Sequence, residues 1–187
     1  MDRRLFLSSM ASALLVPSQL YFHEAIANDS LLSGRALTLM RPQSKERLSV
    51  FYKRNGQVDK RAFLAVCRLL RDTKADKAAF IDVRLLDILD SIRVALNQVG
   101  VHNPVFTVHS AFRTWQTNRE AGGALQSYHM KGMAIDFHVD GIPTDILFKW
   151  MKEVTFHGGV GMGFYGGTPT WMHLDSRKVE KNIIWTG

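Results

Sequence analysis

The sequence predicts an α+β domain in which a small antiparallel sheet carries helices packed on one face and is preceded by an N-terminal hairpin. The first observation is residues 35–41 and 46–53, both strand-like, with Leu48, Val50 and Tyr52 at period two and Pro42-Gln43-Ser44 as the turn between them. The second is a pair of apolar stripes at helical spacing: Phe63, Leu64, Val66, Cys67 and Leu70, then Leu85, Leu86, Leu89, Ile92 and Leu96. The third is the chain order, in which strands and helices follow one another without repeat, low-complexity tract or linker.

Each element has a local reason. The hairpin ends at Asn55-Gly56, and the polar stretch from Asp72 to Phe80 reads as a loop. Asp82 is a natural N-cap for the second helix, and Gly100 stops it. Val105 to Val108 reads as a strand, and Thr114 to Ala121 as a short helix leading to Gly122-Gly123. Pro143 suits the first turn of a helix burying Ile146, Leu147, Trp150, Met151 and Val154. The glycines from Gly158 to Gly167 suit loops and short strands, and Trp171 to Asp175 forms a further strand.

Composition narrows the chemistry. A length of 187 residues suits one domain, and 46% apolar with 22% charged residues excludes disorder, collagen-like repeats and a disulfide scaffold. With Cys67 as the single cysteine, intramolecular disulfides and cysteine-rich zinc fingers are impossible. Any metal must then be held by His, Asp or Glu. The net charge of +7 fits an anionic partner, but no motif points to nucleic acid, and none is expected to bind.

Residues 1–27 read as an export signal: a basic start at Arg3-Arg4, an apolar stretch to Val16, and Ala25-Ile26-Ala27 as a small-x-small site. The paired arginines followed by Phe6-Leu7 look like a twin-arginine signal, which implies a periplasmic protein. About 12 apolar-rich residues fall short of the ~20 that span a bilayer, so no stable membrane insertion of the mature chain, residues 28–187, is expected. Removing the signal takes away Arg3, Arg4, Asp2 and Glu24, two charges of each sign, so the basic character belongs to the mature domain.

The stretch from Ser127 to His138 holds most of the chemistry. Alternate residues of a strand share a face. Ile135, Phe137 and Val139 then point to the core, while Ala134, Asp136 and His138 point the other way. The strand at 171–175 repeats the pattern: Met172 and Leu174 go inward, and Trp171, His173 and Asp175 go outward. Two strands thus project Asp136 and His173 from an apolar backing, and His129 arrives from the preceding loop. Two imidazoles and one carboxylate leave a fourth tetrahedral position open, as catalytic zinc requires.

These residues resemble a known family. Ser127-x-His129-x-x-Gly132-x-Ala134-x-Asp136, followed by Trp171-x-His173-x-Asp175, is similar to the zinc D-Ala-D-Ala peptidase superfamily, which includes VanX-type dipeptidases, murein endopeptidases and the hedgehog signalling domain. Ser110-Ala111-Phe112-Arg113-Thr114 resembles that family's Ser-Gly-Tyr-Arg-Ser segment, and Thr117-Asn118 with Gly122-Gly123-Ala124 resembles the exported branch typified by murein endopeptidase K. The resemblance implies a hedgehog/D-Ala-D-Ala peptidase-like fold. It also implies zinc held by His129, Asp136 and His173, with Arg113 contacting substrate or steadying a developing oxyanion.

The chain departs from the pattern at Thr170, where several branches carry Glu or His as general base. Asp175 is the next candidate, either accepting a proton from water or orienting an imidazole. His138, His157, Ser127 and Trp171 are candidates for supporting the metal or lining a cleft. The implied function is an exported zinc metallopeptidase that hydrolyses peptide cross-links of peptidoglycan, a murein endopeptidase whose partners are the stem peptides. Two alternatives stay open: a zinc D,D-carboxypeptidase or dipeptidase, which needs a closed pocket for a terminal carboxylate, and a catalytically silent metal-containing wall-binding domain.

Overall fold

The computed structural model describes residues 34–154 and 158–187. The signal segment 1–27 and His157 lie outside the described residues. Eight strands form one sheet: β1 Arg35–Arg41, β2 Glu46–Arg54, β3 Gln57–Val58, β4 Val105–Ser110, β5 Ala134–Val139, β6 Gly161–Tyr165, β7 Trp171–Asp175 and β8 Ile183–Thr186. Their order across the sheet is β3-β2-β1-β4-β5-β7-β6-β8. Among the described residues four helices accompany them: α1 Lys60–Leu69, α2 Val83–Gln98, α3 Trp115–Glu120 and α4 Thr144–Lys152. A short 3-10 turn covers Tyr128–Lys131.

The α+β class is as expected, but the sheet is neither small nor purely antiparallel. β1 pairs parallel with β4, and β6 pairs parallel with β8. The long excursion through α1 and α2 brings the chain back beside β1 in the same direction, which a tight turn cannot do. The segment 35–54 is therefore not a hairpin ahead of the sheet but one end of it, extended further by β3. Strand alternation identifies each strand's buried face, whereas the neighbour it pairs with is decided by contacts distant in sequence.

One apolar cluster joins the alternate strand residues Leu37, Leu39, Phe106, Val108, Ile135, Phe137, Met172 and Leu174 to Leu85, Leu89 and Ile92 of α2 and to Leu147 and Met151 of α4. Each such side chain contributes roughly 1.5–3 kcal/mol through burial. Asp59 and Asp82 cap α1 and α2 by accepting from the N–H groups of Ala62 and Arg84. Cys67 is buried in the same cluster, and its sulfur accepts from the Ile81 N–H at 3.5 Å. The reverse face of β5 and β7 carries Asp136, His138, His173 and Asp175 beside Ala134 and Trp171, and it is there that the chemistry collects.

Candidate metal centre

His129 reaches the site from the 3-10 turn. Ser127 starts that turn, its hydroxyl oxygen accepting from the His129 N–H at 3.3 Å. Gly132 ends it at φ 66°, a conformation that favours glycine, and a Cβ there would collide with the Phe80 carbonyl. Asp136 and His173 face each other across the β5–β7 pair, as their alternation requires.

One ligand atom each from His129, Asp136 and His173 lies within 4.8 Å of the other two. His129 Nε2 is 3.2 Å from His173 Nδ1 and 3.3 Å from Asp136 Oδ1, and His173 Nδ1 is 2.8 Å from Asp136 Oδ1. The outer ring nitrogens are tethered. His129 Nδ1 lies 2.7 Å from the Ala111 carbonyl, which can only accept, so this nitrogen carries the proton and Nε2 offers its lone pair. His173 Nε2 lies 3.2 Å from Asp175 Oδ2, which leaves Nδ1 facing Asp136. Two inward imidazole nitrogens and a carboxylate oxygen, with their rings fixed from behind, are a donor set that fits zinc.

Electrostatics favour an ionised Asp136 and a proton on His173 that a metal would have to displace. Burial alone would raise the Asp136 carboxyl, but the facing His129 and His173 imidazoles outweigh it and keep it well below the usual carboxylate range. Burial alone would lower His173, yet Asp136 and then Asp175 hold it above the ordinary imidazole value. The remaining Asp136 oxygen, Oδ2, accepts from Arg113 Nη2 at 2.6 Å, while Arg113 Nε donates to Ser110 Oγ at 2.6 Å. Arg113 therefore lies directly beside the cluster, and its backbone N–H also donates to the His129 carbonyl at 3.3 Å.

Asp175 sits on the other ring nitrogen of His173, fully buried. Arg177 grips it with two hydrogen bonds, Nε to Oδ1 at 2.7 Å and Nη2 to Oδ2 at 2.6 Å. Burial tends to raise the Asp175 carboxyl, but Arg177 first and His173 second hold it low. The Arg177 guanidinium also lies 4.6 Å from the Tyr128 ring centre and 5.6 Å from that of Trp185. Arg177 has no counterpart among the sequence-read candidates. The signal available for it was the i, i+2 spacing from Asp175, although Arg177 follows the end of β7.

The other candidates lie around the cluster. Trp171, on the same face as His173, stacks on Tyr165 with ring centres 4.1 Å apart. His138 Nδ1 is 2.8 Å from His109 Nε2, and its Nε2 is 3.4 Å from Asp140 Oδ1. Burial, and then the neighbouring His138, lowers the pKa of His109. Thr170 turns away from the ligand atoms: its hydroxyl donates to Thr144 Oγ1 at 3.1 Å, and Thr144 in turn donates to the Thr170 carbonyl at 3.3 Å.

Comparison with known proteins identifies the family. The family model described as "Peptidoglycan L,D-endopeptidase MepK" matches residues 30–182. A Haemophilus influenzae protein named "Probable peptidoglycan L,D-endopeptidase MepK" is 30% identical over 170 residues, covering 88% of this chain and 86% of its own. The Escherichia coli K12 protein named "Peptidoglycan L,D-endopeptidase MepK" is 30% identical over 158 residues, covering 81% of this chain and 82% of its own. With residues 30–182 inside that match and two such relatives covered over most of their length, the chain belongs to the peptidoglycan L,D-endopeptidase MepK family.

Proposed function

We propose that this murein endopeptidase is an exported, zinc-dependent hydrolase that cuts an amide bond between an L and a D centre in the peptide cross-links of peptidoglycan. The observation that carries the reading is the convergence of His129 Nε2, Asp136 Oδ1 and His173 Nδ1, each backed by a partner that fixes its orientation. These three residues hold the metal. Zinc, when bound, polarises the scissile carbonyl and lowers the pKa of water toward ~7.

The chain's own residues supply the rest. Arg113 pairs with Asp136 and places a permanent positive charge beside the reacting carbonyl, where negative charge grows as the amide becomes tetrahedral. Asp175 acts as a positioning residue through His173. Both of its oxygens are occupied by Arg177, and its contact is with the ring nitrogen that faces away from Asp136. Ser127 shapes the turn that delivers His129. The segment 1–27 directs export to the periplasm by the twin-arginine route. The described residues include no helix long and apolar enough to cross a membrane.

The test is digestion of purified peptidoglycan followed by mass analysis of the fragments. The wild-type protein should release products of L,D cross-link cleavage. His129→Ala and Asp136→Ala should each lose zinc and lower release at least about a thousandfold. Full activity in a metal-free His129→Ala protein would overturn the zinc assignment. Release of a single terminal residue in place of cross-link cleavage would favour a carboxypeptidase.

A further inference from the structure

Beside the metal cluster lies a cleft of about 460 Å³ lined by His138, Ile142, Pro143, Thr144, Pro169 and Thr170, among others. We infer that this cleft is a substrate subsite holding an uncharged, amide-linked residue of the cross-linked peptide about two positions from the scissile bond, with Thr170 setting the size it admits. The inference rests on the endopeptidase reading and adds the place where the polymer continues.

Position comes first. His138 follows Asp136 by two residues on the same face of β5, and Thr170 immediately precedes β7, whose Trp171 shares the face of His173. Two residues of extended chain cover about 6.6 Å. A peptide lying along β5 with its scissile carbonyl at the ligand cluster therefore presents its second neighbouring residue to His138 and the cleft behind it.

Chemistry comes second. The described residues lining the cleft include no Lys, Arg, Asp or Glu. A terminal carboxylate taken from water into such a site would have no cation to offset its desolvation. An amide-linked residue needs only a neutral partner, and the Thr144 and Thr170 hydroxyl oxygens, whose own protons are already donated, can accept from its N–H between the apolar walls of Ile142, Pro143 and Pro169. Thr170 itself is neutral and is part of the cleft lining.

Rigidity comes third. The His138 ring is held at Nδ1 by a hydrogen bond with His109, and its Nε2 lies 3.4 Å from Asp140, which accepts from the Thr107 hydroxyl at 2.5 Å. A wall locked before the substrate arrives adds little ordering cost on binding.

The experiment uses the zinc-loaded protein, a purified cross-linked muropeptide dimer and a Thr170→Trp variant that fills the cleft. KM for the dimer should rise at least about tenfold while kcat stays within about twofold and zinc content is unchanged. In parallel, the Ile142 methyl signal of zinc-free wild type should shift as the dimer is added and stay still with the free tripeptide stem. An unaltered KM in folded Thr170→Trp overturns the subsite. So does an Ile142 signal that ignores saturating dimer, a measurement that does not depend on the variant folding. Wild-type protein that leaves the dimer intact overturns the endopeptidase reading itself, a result distinct from either.

Discussion

At the scale of single residues, the proposed metal centre depends on what stands behind its three candidate ligands. His173 can offer Nδ1 only while its other nitrogen is held, and the holder is one buried carboxylate gripped by one arginine. Replacing Asp175 by Asn keeps the shape but removes the charge. Zinc affinity, read by competition with a chromogenic chelator, should fall about 10–100-fold, the usual cost of losing such a partner. Arg177→Gln should give a smaller fall in the same direction, because Asp175 then keeps only His173 and a backbone N–H. Gly161 is part of the device: a Cβ there would meet the Asp175 carboxylate and the Arg177 Nε, so Gly161→Ala should weaken zinc binding without touching a ligand. Unchanged affinity in all three variants would remove the chain of contacts from the mechanism.

At the scale of elements, loops place the functional side chains and buried caps place the loops. The segment that carries Arg113 is anchored by Asp72, which lies 2.9 Å from the Thr114 N–H and 2.8 Å from its hydroxyl, and also accepts from the N–H groups of Lys74 and Ala75. Asp72→Ala leaves these donors with no acceptor and should cost about 2–3 kcal/mol of stability, measured by denaturant unfolding. Burial alone would raise the Asp72 carboxyl, but the Thr114 N–H and the Thr117 and Thr114 hydroxyls bring it down to about 2. A carboxyl depressed on folding contributes stability that is present above its unfolded value and lost as pH falls through its folded value. Asp72 should therefore stabilise fully above about pH 4 and lose that effect toward about pH 2, so the Asp72→Ala penalty should shrink over that window.

Much of this was legible in the sequence. Alternation along 134–139 and 171–175 put Asp136 and His173 on one face, and Asp82 announced the start of α2. The Ala111 carbonyl behind His129 was not legible, because any residue supplies one. Nor was the pairing of Asp72 with Thr114, 42 positions apart, which only the folded chain brings together.

At the scale of the whole molecule, topology and net charge are the terms that remain. The parallel contacts of β1 with β4 and of β6 with β8 were hidden because each is fixed by partners far along the chain, and β8, with Ile183 and Ile184 both exposed, shows no alternation to announce it. Charge, by contrast, reads directly from sequence, and a net +7 surrounds a site whose proposed substrate belongs to an anionic polymer. Such a field acts over the screening length, about 10 Å at 0.1 M salt and about 3 Å at 1 M, and gathers oppositely charged partners before any specific contact forms. Raising salt from about 0.1 to about 1 M should therefore weaken co-sedimentation with intact sacculi several-fold. It should leave kcat on a short muropeptide dimer nearly unchanged, because the Arg113 to Asp136 contact is buried and screened far less. If kcat fell in step with sacculus binding, the two effects would share one origin at the metal centre, and the long-range field would have no separate part in bringing the enzyme to the wall.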